Sequence, residues 1–204
     1  MKTPLITCLV GLFLLSARGQ APRYTLVDGS IGVVVLGDYT ERDTVKLYND
    51  DGSLWYRFTY YYDDSDGKWD YPNEEFRPRA FHPDYFSLGL DVVADVGTAY
   101  VVVVNNDTGV KKRIPKAPFL RFVTWEQYVL GSFAVSFDTA SNPIRTAPRA
   151  KASVVRHDRE DVDHPVLIQG DWLRVRWGRE GAWSYGWLRW RNGGRLAVYV
   201  HPFA

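Results

Sequence analysis

Apolar residues in this chain come in short β-branched and aromatic runs, each closed by an acidic or glycine-bearing turn. YTLV (24–27), IGVVVLGDY (31–39) and TVKLY (44–48) follow one another in this way. The longest clearly apolar stretch after the first twenty residues, AYVVVV at 99–104, is strand-sized. Such runs suit a pleated, half-buried surface. TVKLY, then NDDG, then SLWYRFTYYY is the clearest hairpin. In its second arm Leu54, Tyr56, Phe58 and Tyr60 share one face, and Trp55, Arg57, Thr59 and Tyr61 the other. LGLDVVAD (88–95) and TAYVVVVNN (98–106) form a second pair, and the turn VNNDTGVKKR leads into a third strand, giving a meander. The only helical signal is VTWEQYVLGSF (123–133), with Thr124 as N-cap and Glu126 in the first turn. The expected class is mainly β, opening with an N-terminal antiparallel β domain that carries one short helix.

The first nineteen residues have a Lys near the start, an apolar run from Leu5 to Leu15, and small residues Ala17 and Gly19 where a signal peptidase cuts. This is the pattern of a secretory signal peptide, too short in its apolar run to span a bilayer. Cleavage would leave Gln20 first, and the expected location is secreted or periplasmic, with no membrane span after signal removal. The alternative is an N-terminal anchor that stays attached. Cys8, the only cysteine, lies inside the signal. The mature chain would then hold no thiol, which excludes thiol catalysis and thiolate metal sites and leaves stability to the hydrophobic core. Residues 20–150 carry 14 Lys/Arg against 18 Asp/Glu, and residues 151–204 carry 9 against 6. That asymmetry separates two surfaces but is too small for nucleic-acid binding.

TASNPIRTAPRAKAS (139–153) lacks apolar periodicity and reads as a linker or extended crossover. It divides a domain at 20–138 from a unit at 154–204. The acidic loop YYDDSDGKWD (61–70) resembles part of an EF-hand. With Gly67 at the invariant glycine, however, the first and twelfth positions fall on Tyr62 and Asn73, so both anchor ligands are missing. A solvated loop is the expectation. His157 and His164 lie in VVRHDREDVDHPV among Asp158, Glu160, Asp161 and Asp163, a charge run that also reads as a solvated loop between strands. His82 near Asp84 fits turn capping. Asn106-Asp107-Thr108 is a glycosylation sequon, relevant only in a eukaryote. No HExxH, GxSxG, SxxK, P-loop or GxGxxG pattern occurs, and no cofactor, metal or catalytic residue is assigned.

GDWLRVRW (170–177) and GWLRW (186–190), followed by the NGG turn (192–194) into RLAVYV, resemble a bacterial SH3-like barrel over about residues 150–204. No ALYDY-type segment precedes them, so proline-rich peptide recognition is not implied. The resemblance implies an exported accessory or cell-wall-binding module. Alternation sends Leu173, Val175, Trp177, Leu188, Trp190, Leu196, Val198 and Val200 to the core. The opposite parity gives the candidate binding residues Trp172, Arg174, Arg176, Trp187, Arg189, Arg191, Arg195 and Tyr199. Arginine takes carboxylates or phosphates bidentately, and exposed aromatics supply flat contact area.

The expected function is therefore a non-catalytic binding or scaffold protein of the bacterial envelope. Its partner would be a cell-wall or glycan ligand or another protein. Two other uses of the face are stacking of arginine on its own tryptophans and intramolecular docking onto the acidic N-terminal domain. The alternatives are an exported hydrolase using Asp84, Glu126 or the His157–His164 loop, and an inhibitor or interaction protein capturing another exported protein by a strand edge.

Overall fold

The computed structural model describes residues 29–60, 73–158 and 161–203. The signal segment at 1–19 and the acidic loop at 61–70 lie outside the described residues. The protein is mainly β, with one short α-helix among the described residues and antiparallel sheets.

The large sheet is built from β1 (Gly32–Leu36), β2 (Val45–Tyr48), β3 (Leu54–Phe58), β4 (Ala80–His82), β5 (Ser87–Asp95), β6 (Ala99–Asn105), β7 (Val110–Pro115) and β8 (Leu120–Val123). Its order is β3-β2-β7-β6-β5-β1-β8, with β4 also paired to β5. The first hairpin sets Val45 opposite Phe58 and Leu47 opposite Tyr56, and β5, β6 and β7 form a meander. Period-two alternation explains what each strand buries. Val34, Leu88, Leu90, Val92, Val102, Val104 and Ile114 point with Val45, Leu47 and Phe58 into one apolar cluster. The other side of β1 carries Val33 into a second cluster. β1 is thus buried on both faces, which explains its nearly continuous valine run. Gly32 permits the close approach of β8, since a Cβ there would lie 2.6 Å from Phe122 Cζ.

Helix α1 (Trp125–Leu130) covers that second side. Thr124 caps it as its sequence position predicts: the Gln127 N–H donates to Thr124 Oγ1 at 3.2 Å, and the Thr124 N–H donates to Gln127 Oε1 at 2.9 Å. Trp125, Tyr128 and Val129 are its buried face.

The rest of the chain supplies β9 (Ala134–Ser136), β10 (His164–Gln169), β11 (Trp172–Arg179), β12 (Ala182–Arg189), β13 (Arg191–Asn192), β14 (Arg195–Leu196) and β15 (Tyr199–His201). β10, β11 and β12 make a three-stranded sheet, β13 pairs β14, and β15 returns to pair β9. All eight residues assigned to the core by alternation are buried. They share one cluster with Val33, Trp125, Tyr128 and Val129, so the C-terminal strands, the helix and the outer side of the large sheet have a common core.

The stretch 139–153 is held along its length. Arg145 pairs antiparallel with both Trp187 and Val154. Ile144 is buried in the space left by Gly186, where a Cβ would overlap Ile144 Cγ2. The Asn142 side chain bonds Arg189 through its N–H and its carbonyl and also reaches the Ala197 carbonyl. Only Ile144 and Ala152 go inside, too few to leave an apolar period.

Candidate binding face

β11 and β12 are paired over their whole lengths, from Trp172 opposite Arg189 to Arg179 opposite Ala182. With Leu173, Val175 and Leu188 committed to the core, the same pleat turns Trp172, Arg174 and Arg176 outward beside Arg189, Trp187 and Tyr185. The side chains on this face interleave by charge and ring. The Arg189 guanidinium lies 4.7 Å from the ring centre of Trp172, Arg174 4.8 Å from Tyr185, and Arg176 4.8 Å from Trp183. The first contact is between directly opposed residues. The other two run diagonally across the ladder, a reach that long side chains manage.

Each stack fixes a guanidinium plane and leaves its N–H edge for an acceptor. Arg189 and Arg191 already meet Asp171, at 3.8 Å and 2.8 Å. Arg174 and Arg176 have no carboxylate partner among the described residues. Tyr185 is 44% exposed, and Leu167, directly across from Arg174 on β10, is exposed as well. The face is open, carries fixed cations and has flat apolar walls.

The structure brings five of the eight candidates together: Trp172, Arg174, Arg176, Trp187 and Arg189. Arg191 sits at the margin, its guanidinium 4.8 Å from the ring of Trp190 and 3.7 Å from Glu126 on α1. It is the candidate arginine that reaches an acidic group of the N-terminal region. Arg195 lies opposite Asn192, and Tyr199 lies on β15 opposite Ser136 with its ring against His201. These two leave the face because the third strand breaks after Leu196 and rejoins at β9, which preserves the burial alternation but changes the sheet. Trp183 and Tyr185 belong to the face and were not among the candidates. The sequence carries their signal, since WSYGWLR continues the same parity back through Gly186, whereas GWLRW alone starts the strand at 186.

Within the 157–163 charge run, His157 and Asp163 depart from the solvated reading, whereas Asp158 is exposed. His157 Nε2 lies 3.0 Å from Asp163 Oδ1, both side chains are only 6% exposed, and His157 packs edge-on against Trp177. Both residues line a cavity of about 530 Å³ beside β9. Burial, reinforced by the negative charge of Asp161, pushes the Asp163 carboxyl up to about 7, and burial pulls His157 below its ordinary value. The two shifts act on stability in opposite directions. Between about pH 4 and 7 the unfolded chain has released the Asp163 proton that the folded state keeps, so this group costs stability as pH rises. Below about pH 6.5 the unfolded chain takes up a proton that folded His157 resists, so that group costs stability as pH falls. Asp163→Asn removes the first cost alone. In thermal melts the variant should gain on the wild type at pH 8 compared with pH 5; a difference that is flat, or larger at pH 5, contradicts this.

The other acid–base candidates are dispersed. Glu126 faces Arg191, and Asp84 sits in the 3-10 turn before β5. Among the described residues no group of three or more His, Cys, Asp or Glu converges as metal ligands. No match is found when the chain is compared with protein-family models, curated proteins and solved structures. The functional reading therefore rests on the chain's own residues.

Proposed function

We propose that this is an exported, non-catalytic binding protein of the bacterial envelope. Its C-terminal unit, an SH3-like barrel by resemblance, offers the β11–β12 face to an anionic cell-wall glycan. The observation that carries this reading is the set of three arginine-on-ring stacks on one open face, with Arg174 and Arg176 unpaired among the described residues. Aromatic planes take the apolar faces of sugar rings, and guanidinium edges take their carboxylates through paired hydrogen bonds. The excess of basic residues in 151–204 favours the same class of ligand.

Retention of the full chain on purified cell-wall and glycan material tests the proposal. Trp187→Ala and Arg189→Glu should each weaken retention by about tenfold, the effect of losing one stacking or charge-assisted contact. Retention should also fall as salt rises, because exposed charges are screened. Failure of the wild type to bind any envelope fraction would overturn the proposal.

A further inference from the structure

A second concave site lies away from the β11–β12 face, where β1 ends and β8 begins beside the start of β5. The cavity measures about 300 Å³ and is bounded by Tyr85, Ser87, Arg121, Gln127, Tyr128 and Phe203 among others. That size is at the low end for small-molecule sites and suits a single ring.

Three of its groups are set up for a ligand and not spent on the fold. The first is Tyr85. Its ring stacks on Phe203, with centroids 4.3 Å apart and planes within 10°, yet the residue stays 62% exposed. Phe203 is in turn braced edge-on by His82. The turn that presents Tyr85 ends in a left-handed Phe86 (φ 48°, ψ 42°), an unfavourable backbone for a residue with a side chain. It is held there by the Phe86 N–H donating to the Pro83 carbonyl and by ring stacking on Tyr60. Strain maintained in this way is characteristic of ligand-contacting segments.

The second group is Arg121. It pairs with Val35 through the backbone, which turns its side chain to the helix side of the sheet, and its guanidinium has no ion pair among the described residues. The third is the Tyr128 hydroxyl. Tyr128 is nine-tenths buried, and its hydroxyl makes no hydrogen bond to a described residue. It reaches over Gly89, where a Cβ would stand 3.2 Å from it. Burial raises this phenol to about 12, so it remains a proton donor at any physiological pH. A phenol with no hydrogen-bond partner among the described residues, on a residue that bounds the cavity, can donate to a ligand acceptor.

We infer that this cavity binds a carboxylated pyranose, a uronic-acid residue, with the sugar face on Tyr85, the carboxylate on Arg121 and a ring hydroxyl on Tyr128. An aromatic acid would use the first two groups but would leave the Tyr128 hydroxyl unmatched, and that selects the sugar. The inference does not depend on the β11–β12 face, since it uses none of that face's residues.

Titration of the full chain with sodium glucuronate, glucose and benzoate, followed by amide NMR, tests it. Glucuronate should bind about tenfold tighter than either comparator. The shifted amides should cluster at 85–88 and 121–123. Arg121→Gln should abolish the preference for glucuronate over glucose, and Tyr85→Ala should weaken both sugars by about tenfold. Tyr128→Phe should weaken glucuronate several-fold while leaving the melting temperature of the free protein unchanged or higher, because the hydroxyl gives up no protein partner. Equal binding of glucose and glucuronate, benzoate binding as tightly as glucuronate, no effect of Arg121→Gln, or shifts confined to 183–187 would each overturn the assignment.

Discussion

Asp91→Ala is expected to lower the free energy of unfolding by about 3–5 kcal/mol, the cost of stranding one member of a buried ion pair. Asp91 lies in the middle of β5 on the side away from the all-apolar cluster, where the pleat turns it under helix α1. The Arg79 guanidinium meets its carboxylate at two points, Nε to Oδ1 at 2.5 Å and Nη2 to Oδ2 at 2.6 Å. The side chains are 9% and 3% exposed. Trp125 closes the site from the helix, its ring centre 4.6 Å from the guanidinium carbon. Without the carboxylate, a full positive charge stays buried between the sheet and an indole, where solvent cannot replace what was lost. Chemical denaturation would read the effect directly. The double variant Arg79→Met/Asp91→Leu should recover most of the loss, because the penalty comes from the unpaired charge and not from the absence of the pair. An Asp91→Ala protein within 1 kcal/mol of wild type would contradict this account.

Trp190→Ala should cost a similar amount, about 3–5 kcal/mol, for a different reason. Trp190 is 1% exposed and has the largest side chain among the fully buried residues. Its Nε1–H donates to the Gly170 carbonyl at 2.9 Å, so truncation leaves both a cavity and an orphaned acceptor. The cluster it fills also contains Val33 of β1 and Trp125 and Val129 of α1. The damage should therefore appear in one cooperative unfolding transition for the whole chain. Two separated transitions, with only the second moved by the substitution, would show that the halves do not share a core.

Alternation made the C-terminal core legible in advance. A strand buried on one face leaves no choice about which of Leu173, Val175 or Arg174 goes inside, and the pleat obeys the pattern even where β14 and β15 part company. The helix cap was equally legible, because Thr124 and Gln127 satisfy each other locally. What escaped depends on contacts between distant segments. Asp91 interrupts LGLDVV as a lone charge, and nothing near it in the chain identifies Arg79 as its partner. His157 and Asp163 sit in a run of charges that is normally solvated. The rings of Trp177 on β11 and Phe137 just after β9 pack against His157 from distant parts of the chain. Composition hid the packing of 139–153, because one isoleucine over one glycine carries no period. The binding face fell between these cases: parity was readable, whereas membership was not, since Tyr199 keeps its parity while joining a different sheet.

The side-chain NMR signals of the tryptophans test the proposed function most directly. Titration with soluble acidic cell-wall glycan fragments should shift the indole N–H resonances of Trp172, Trp183 and Trp187, which stand on the open face. The indole resonances of Trp125 and Trp190, which are buried in the shared core, should stay in place. The shifts should saturate and should be lost in Arg174→Glu. Unchanged face indoles at high glycan concentration, or shifts restricted to tryptophans elsewhere in the chain, would contradict the assignment of the β11–β12 surface as the binding site.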